Sequence, residues 1–200
     1  MTNLLPGVGP HPLPLPEGEH YDPDLLREGD RRNVLDGYRY WTVEAIKSDL
    51  DTKRHPVHVA IENWQHDSNI GTIVRSANAF NVAGVHIIGK RHWNRRGAMV
   101  TDRYLSVTHH NTVEEFVSAM GDRPIVAVDN LPGATPLHRV TLTKDIVLVF
   151  GGEGPGVSPE MQMAAQEMIM IEQSGSTRSI NVGVAAGIVL YDWVRTNVLD

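Results

Sequence analysis

Short apolar runs rich in β-branched residues recur along the chain at residues 57–61, 85–88, 125–128 and 146–150, with a further candidate at 168–171. Runs of this length, with little polar alternation, are the pattern of strands buried on both faces. Between them the spacing changes to threes and fours. Ile70, Ile73, Val74 and Ala77 share one helical face, as do Val113, Phe116, Val117 and Met120. A short helix is predicted after Pro159 and a long one from about Asn181 to Asn197. Upstream, Leu35, Tyr38, Thr42, Ala45, Ile46 and Leu50 predict a helix over residues 34–52. Strands alternating with helices predict an α/β fold, a mainly parallel sheet with helices on both faces. Ligands of such sheets bind beyond the carboxyl ends of the strands, so the loops that follow the apolar runs are where chemistry is expected.

The N-terminal stretch stands apart. Six of the chain's twelve prolines (Pro6, Pro10, Pro12, Pro14, Pro16 and Pro23) fall in its first 23 residues, which disfavours helix and central strand there. Residues 1–33 are expected to form a proline-rich arm, either an extended or flexible tail or an arm lying on a partner. Residues 34–200 are expected to form a single domain that includes the N-terminal helix. A content of 41% hydrophobic and 21% charged residues suits a globular protein with a real core. The net charge of −6 argues against a polycation but leaves nucleic-acid binding open, because binding follows local charge. Cysteine is absent, which excludes disulfides, Cys-ligated zinc, thiol nucleophiles and iron–sulfur clusters. No apolar run approaches the roughly 18 residues of a membrane span, and the N-terminus lacks the features of a secretory signal. A cytoplasmic protein with no membrane association is expected.

Three loops hold unusual residues. The first runs from Glu62 to Arg75: Asn69 can cap the helix starting at Ile70, Gly71 allows close backbone approach at an anion-favouring helix start, and Arg75 leaves the apolar stripe. The second follows the run at 146–150 and places four glycines in six residues, Gly151, Gly152, Gly154 and Gly156, around Glu153. It matches neither G-x-G-x-x-G nor a phosphate-binding loop, which would need a Lys after the glycines. The third, from Ile171 to Gly187, brackets Ile180 between Ser179 and Asn181 and feeds a helix start rich in small residues. Each loop alone is also compatible with an ordinary capped helix or a glycine-rich turn.

Taken in order, Asn69-x-Gly-x-x-x-Arg75-Ser-Ala, Phe150-Gly-Gly-Glu-Gly-x-Gly156 and Ser179-Ile-Asn-Val-x-Val-Ala-Ala-Gly-Ile188 resemble the three signature motifs of SpoU/TrmH-type RNA 2′-O-ribose methyltransferases of the SPOUT superfamily. The resemblance spans residues 57–194. It implies a C-terminal trefoil knot in the sheet, a homodimer whose active sites draw on both subunits, and S-adenosylmethionine as methyl donor, with no metal. It places the donor against Gly151, Gly152, Ile171 and Ile180. Asp129, which ends the run at 125–128 near that site, is a further candidate, either for the donor's ribose or for capping a turn. It assigns Asn69, Arg75, Glu153, Ser179 and Asn181 to catalysis and substrate binding. Where relatives commonly carry Pro-Met after the Ile171 position, this chain has Glu172-Gln173. Because a guanidinium stays protonated, Arg75 is better suited to binding phosphate or steadying a developing alkoxide than to acting as a base.

RNA binding needs basic surface, and residues 90–103 supply it: Lys90, Arg91, Arg95, Arg96 and Arg103 stand against one acid, with Trp93 among them as a candidate base-stacking residue. A solvated charged loop is the alternative. Among the ten histidines, the pairs His55/His58 and His109/His110 lack acidic partners, so no metal site is expected. The expected substrate is transfer or ribosomal RNA, with the short extensions favouring transfer RNA. A catalytically inactive RNA-binding relative is the alternative, and a nucleotide-dependent oxidoreductase is disfavoured by the missing fingerprint.

Overall fold

A computed structural model of the chain describes residues 7–65, 69–152 and 156–199. The chain divides after Lys53 into two compact units, residues 1–53 and 54–200.

In the first unit, the proline-rich stretch is folded rather than open. Val8 and Asp30 exchange backbone hydrogen bonds of 2.9 Å in both directions, and the His11 N–H donates to Leu26 O at 2.9 Å. Helix α1 (Pro23–Glu28) starts with its proline in the first turn, where no N–H is needed, and Asp22 caps it through the Asp24 and Leu25 amides. Asp30 organises the rest. Its buried carboxylate accepts from Arg32 Nε (2.9 Å), Arg32 Nη2 (2.7 Å), the Arg32 N–H (3.0 Å) and the Tyr40 N–H (3.0 Å). Burial alone pushes its pKa up, but the Arg32 and Tyr40 hydrogen bonds outweigh that and hold it at about 2.

The helix expected over residues 34–52 is two elements. A 3₁₀ turn at Asp36–Tyr38 is followed by Tyr40 at φ +63°, and helix α2 (Val43–Asp51) begins only there, capped by Thr42 Oγ1 on the Ala45 amide at 3.1 Å. Thr42 is thus a cap, not part of an apolar stripe.

The second unit is built on a seven-stranded sheet, among the described residues, whose paired strands are all parallel. In chain order the elements are β1 (His55–Asn63), α3 (Ile70–Ala79), β2 (Val82–Gly89), β3 (Val107–His110), α4 (Val113–Met120), β4 (Ile125–Val128), β5 (Thr135–Pro136), β6 (Val147–Phe150), α5 (Pro159–Ala164), β7 (Glu167–Met170) and α6 (Val182–Val194). Across the sheet they lie β3-β2-β1-β6-β4-β7-β5.

Alternate strand residues divide between two cores. Val57, Val59, Ile61, Val85 and Ile87 pack against α3 and α6, where Trp193 is fully buried and its Nε1 donates to Thr143 O at 2.9 Å. Ala60, Ile88, Ala127 and Val149 face α4 and α5 through Phe116 and Met161. Helices therefore cover both faces, as expected from the sequence. Two strands escape the apolar pattern: β3 is polar (Val-Thr-His-His) at one edge, and β5 is two residues long at the other. Burying β1 on both faces extends it to Asn63, so Glu62 and Asn63 are fully buried strand residues rather than the start of a loop.

Candidate active site

The carboxyl ends of β4, β6 and β7 and the start of α6 enclose a cleft of about 290 Å³. Asp129 and Asn130 line it after β4, Gly151, Gly152 and Gly156 after β6, and Ile171 and Gln173 after β7. Ser179, Ile180 and Asn181 close the side formed by the start of α6. All five donor candidates read from the sequence, Gly151, Gly152, Ile171, Ile180 and Asp129, thus meet in one place with Ser179 and Asn181.

Hydrogen bonds hold the loops together. Asp129 Oδ2 accepts the Val157 N–H at 2.8 Å and Oδ1 accepts the Asn130 N–H at 2.7 Å. Asn130 Nδ2 donates to Arg178 O at 2.8 Å, fastening the loop before α6 to the end of β4. Gly152 O accepts the Gly156 N–H at 3.2 Å. Gly156 sits at φ +70°, and any Cβ there would overlap Asp129 Oδ2, so glycine is required twice over. A Cβ on Gly151 would collide with the backbone at Gly156 and Val157. The bare backbone of Gly151 therefore accommodates the chain's own loop first. Glu153 lies outside the described residues.

Asn181 joins two motifs. Its Oδ1 caps α6 by accepting the Gly183 (2.9 Å) and Val184 (3.2 Å) amides. That orientation leaves Nδ2 to donate, and it reaches Asn69 Oδ1 at 2.9 Å. Asn69 occupies the N-cap position of α3 but makes no side-chain capping bond, contrary to the sequence expectation; its carboxamide is committed to Asn181 instead. Arg75 lies on α3 off the buried stripe, is exposed, and makes no side-chain hydrogen bond among the described residues. In α6, Gly183 meets Thr72 of α3 closely, but Gly187 faces open space, so only part of the small-residue face serves close packing.

The basic segment begins where Asn63 Nδ2 donates to Lys90 O (2.6 Å) and His92 O (3.0 Å), an anchor not read from the sequence. Its middle lies on the first turn of α3: a Cβ on Gly71 would stand 2.7 Å from Ala98 N and 2.9 Å from Gly97 Cα. Close approach at Gly71 is therefore made by the chain itself. Lys90, Arg91, Arg95, Arg96 and Arg103 are all exposed. Trp93 is half-buried against the α3 side of the core, with the Arg95 guanidinium 5.5 Å over its ring, so it does not stand free for stacking. Arg95 also pairs with Asp102 at 3.3 Å.

Two sets of side chains within the sheet make contacts that the sequence did not reveal. Glu62, fully buried, accepts from Trp64 Nε1 (2.9 Å) and the Ser158 N–H (2.7 Å), joining the end of β1 to the start of α5. On the same side of the sheet, His58, His86 and His110 form a row across β1, β2 and β3. His58 Nδ1 lies 3.0 Å from His86 Nε2, and His86 Nδ1 lies 3.0 Å from His110 Nε2. Burial, reinforced by His58, His110 and Arg123, pushes the His86 pKa down to about 3. Among the described residues, no group of three or more His, Cys, Asp or Glu side chains is arranged to hold a metal ion, and no helix is long and apolar enough to cross a membrane.

A parallel α/β sheet with a cleft at its carboxyl edge, walled by three glycine- and asparagine-bearing loops, defines a class of nucleotide-type ligand sites. Residues 56–191 match the model of the SpoU rRNA Methylase family, and the chain belongs to that family. A Synechocystis protein described as an uncharacterized tRNA/rRNA methyltransferase is 29% identical over 183 residues, covering 82% of this chain and 44% of its own length. This chain thus spans less than half of that relative. The structure of the A. aeolicus TrmH/SpoU tRNA modifying enzyme superposes with a TM-score of 0.67 at 28% identity, covering 77% of this chain and 81% of that one. That of an AdoMet-bound rRNA methyltransferase from Sinorhizobium meliloti gives 0.63 at 25% identity, covering 73% and 59%.

Proposed function

We propose that this protein transfers a methyl group from S-adenosylmethionine to a ribose 2′-hydroxyl of RNA, transfer RNA before ribosomal RNA. The observation that carries this reading is the Asn181–Asn69 hydrogen bond, which brings the first and third motif loops together beside the cleft that the second motif loop lines.

The cleft suits the donor chemically. Ile171 and Ile180 offer apolar faces to a flat base, while the Gly151–Gly152 backbone and Asp129 offer polar partners to a ribose and amino acid. The AdoMet-bound structure of the Sinorhizobium relative supports the same choice. S-Adenosylmethionine supplies a methyl group already activated on a sulfonium, so the protein's task is to orient the acceptor and help its proton leave. Arg75 carries a permanent positive charge on an exposed helical face, where it binds the neighbouring phosphate and steadies the developing alkoxide. Ser179 and Asn181, with Glu153, orient Arg75 and the ribose. The exposed bases of residues 90–103 supply the RNA-binding surface.

The homodimer belongs to the same reading. Val184, Ile188 and Tyr191 form an exposed apolar stripe on the outer face of α6, suited to a second copy. So does the trefoil knot, formed from the loops that follow β6 and β7. The test is a calorimetric titration with S-adenosylhomocysteine, followed by transfer of labelled methyl to total RNA. Binding with transfer supports an enzyme; binding to RNA without either would identify an inactive RNA-binding relative.

A further inference from the structure

Beyond β7 the chain alternates its side chains between two surroundings. Ile171 and Gln173 both line the cleft. Glu172, between them, turns outward and pairs through Oε2 with His138 Nδ1 at 2.7 Å. Gln173 turns inward. Its Oε1 is buried and meets no hydrogen-bond donor among the described residues. A carboxamide oxygen accepts up to two hydrogen bonds, and leaving it dry and unpaired is costly enough that native structures seldom do so. This acceptor stands where the resemblance leads one to expect methionine.

We propose that Gln173 is a specificity residue of the donor cleft, its amide oxygen accepting a hydrogen bond from the exocyclic amine of the donor's adenine. The assignment rests on the methyl-donor reading above. Within the cleft, Gln173 shares its inward side with the apolar Ile171, two residues earlier. A base packed on Ile171 would have Gln173 beside it to meet its amine-bearing edge. The donor's hydroxyls and ammonium instead have Asp129 and the glycine backbone as partners.

The test compares two ligands by calorimetry on the full chain: S-adenosylhomocysteine, and the same molecule with purine in place of adenine, which lacks only the amine. The wild type is expected to prefer the adenine ligand by about tenfold, the worth of one well-made hydrogen bond in a buried site. Gln173→Met is expected to weaken the adenine ligand by about tenfold and the purine ligand by less than twofold. Its thermal melt should be no lower, because the substitution removes an unpaired buried acceptor. Equal weakening of both ligands would overturn the proposal by assigning Gln173 to the ribose or to loop structure, and so would no weakening of either. A wild type that binds neither ligand would overturn the methyl-donor reading itself, and this inference with it.

Discussion

Acidification should weaken this fold well above the pH at which carboxylates protonate, because of the histidine row. In an unfolded chain His86 titrates at about 6.5, whereas in the folded sheet burial, His58, His110 and Arg123 lower it to about 3. His58 is also lowered, by burial and Arg123 against the opposing pull of Asp145. His110 is lowered by burial and His109 against Glu115. All three shifts have the same sign. The unfolded state therefore binds more protons than the native state below pH 6.5, and stability is full above that value and falls as pH drops. Between pH 7.5 and 5.5, His86 alone costs on the order of 1 kcal/mol, and His58 and His110 add to it. A neutral imidazole has one donor and one acceptor, so the row holds only while its rings share protons in one direction. The measurement is urea unfolding at pH 7.5, 6.5 and 5.5, with NMR of the ring protons over the same range. A stability that stays flat to pH 5.5, or a His86 ring that titrates near 6.5 in the folded protein, would refute the reasoning.

Other perturbations separate catalysis, binding and folding. Arg75→Ala should abolish methyl transfer while leaving S-adenosylhomocysteine affinity within a few-fold, and Arg75→Lys should fail too, because a point charge does not replace a planar fork of donors; near-normal turnover by either would remove Arg75 from the mechanism. Gly151→Ala should lower stability by about 1–3 kcal/mol and weaken the donor product together, since its Cβ strikes the Gly156–Val157 backbone before any ligand; an unchanged melt would show that the loop yields freely. Neutralising Arg95 and Arg96 should flatten the salt dependence of RNA binding by about 0.7–0.9 for each phosphate no longer neutralised, without altering donor binding; an unchanged slope would mark them as merely solvated. Asp30→Ala should destabilise the first unit by about 3 kcal/mol or more, by removing the buried acceptor of Arg32 and Tyr40, seen as faster hydrogen exchange across residues 7–53.

The strands that carry the cleft were legible because burial on both faces demands unbroken apolar runs. The runs at 125–128 and 146–150 agree with β4 and β6 to within one residue. Strand β3 was not, because an edge strand carrying His109 and His110 lacks that signal. Periodicity could not reveal that Tyr40 takes a positive φ and splits a predicted helix. For the site, the motifs named Gly151, Gly152, Ser179, Ile180 and Asn181, which line one cleft, but not the bonds that hold them there. A local reading makes Asn69 a helix cap, and only the packing of a segment 112 residues away turns its carboxamide to Asn181. Glycines at 71 and 151 read as room for a ligand, yet the neighbours they admit are the chain's own backbone. The departure at Glu172-Gln173 was visible in the sequence, whereas the buried, unpaired oxygen that gives it meaning depends on the fold. The histidine row depends on the register of three strands, which spacings of 28 and 24 residues do not disclose.

Methyl transfer to ribose, rather than to a base, is decided by the atom that receives the methyl. Purified protein is incubated with deuteromethyl-labelled S-adenosylmethionine and stable RNA, the RNA is digested to nucleosides, and mass spectrometry locates the label in sugar or base. Label is expected on the ribose of a single nucleotide position, and none with Arg75→Ala. Label on a base, or none in any RNA from a protein that binds the donor, would contradict it.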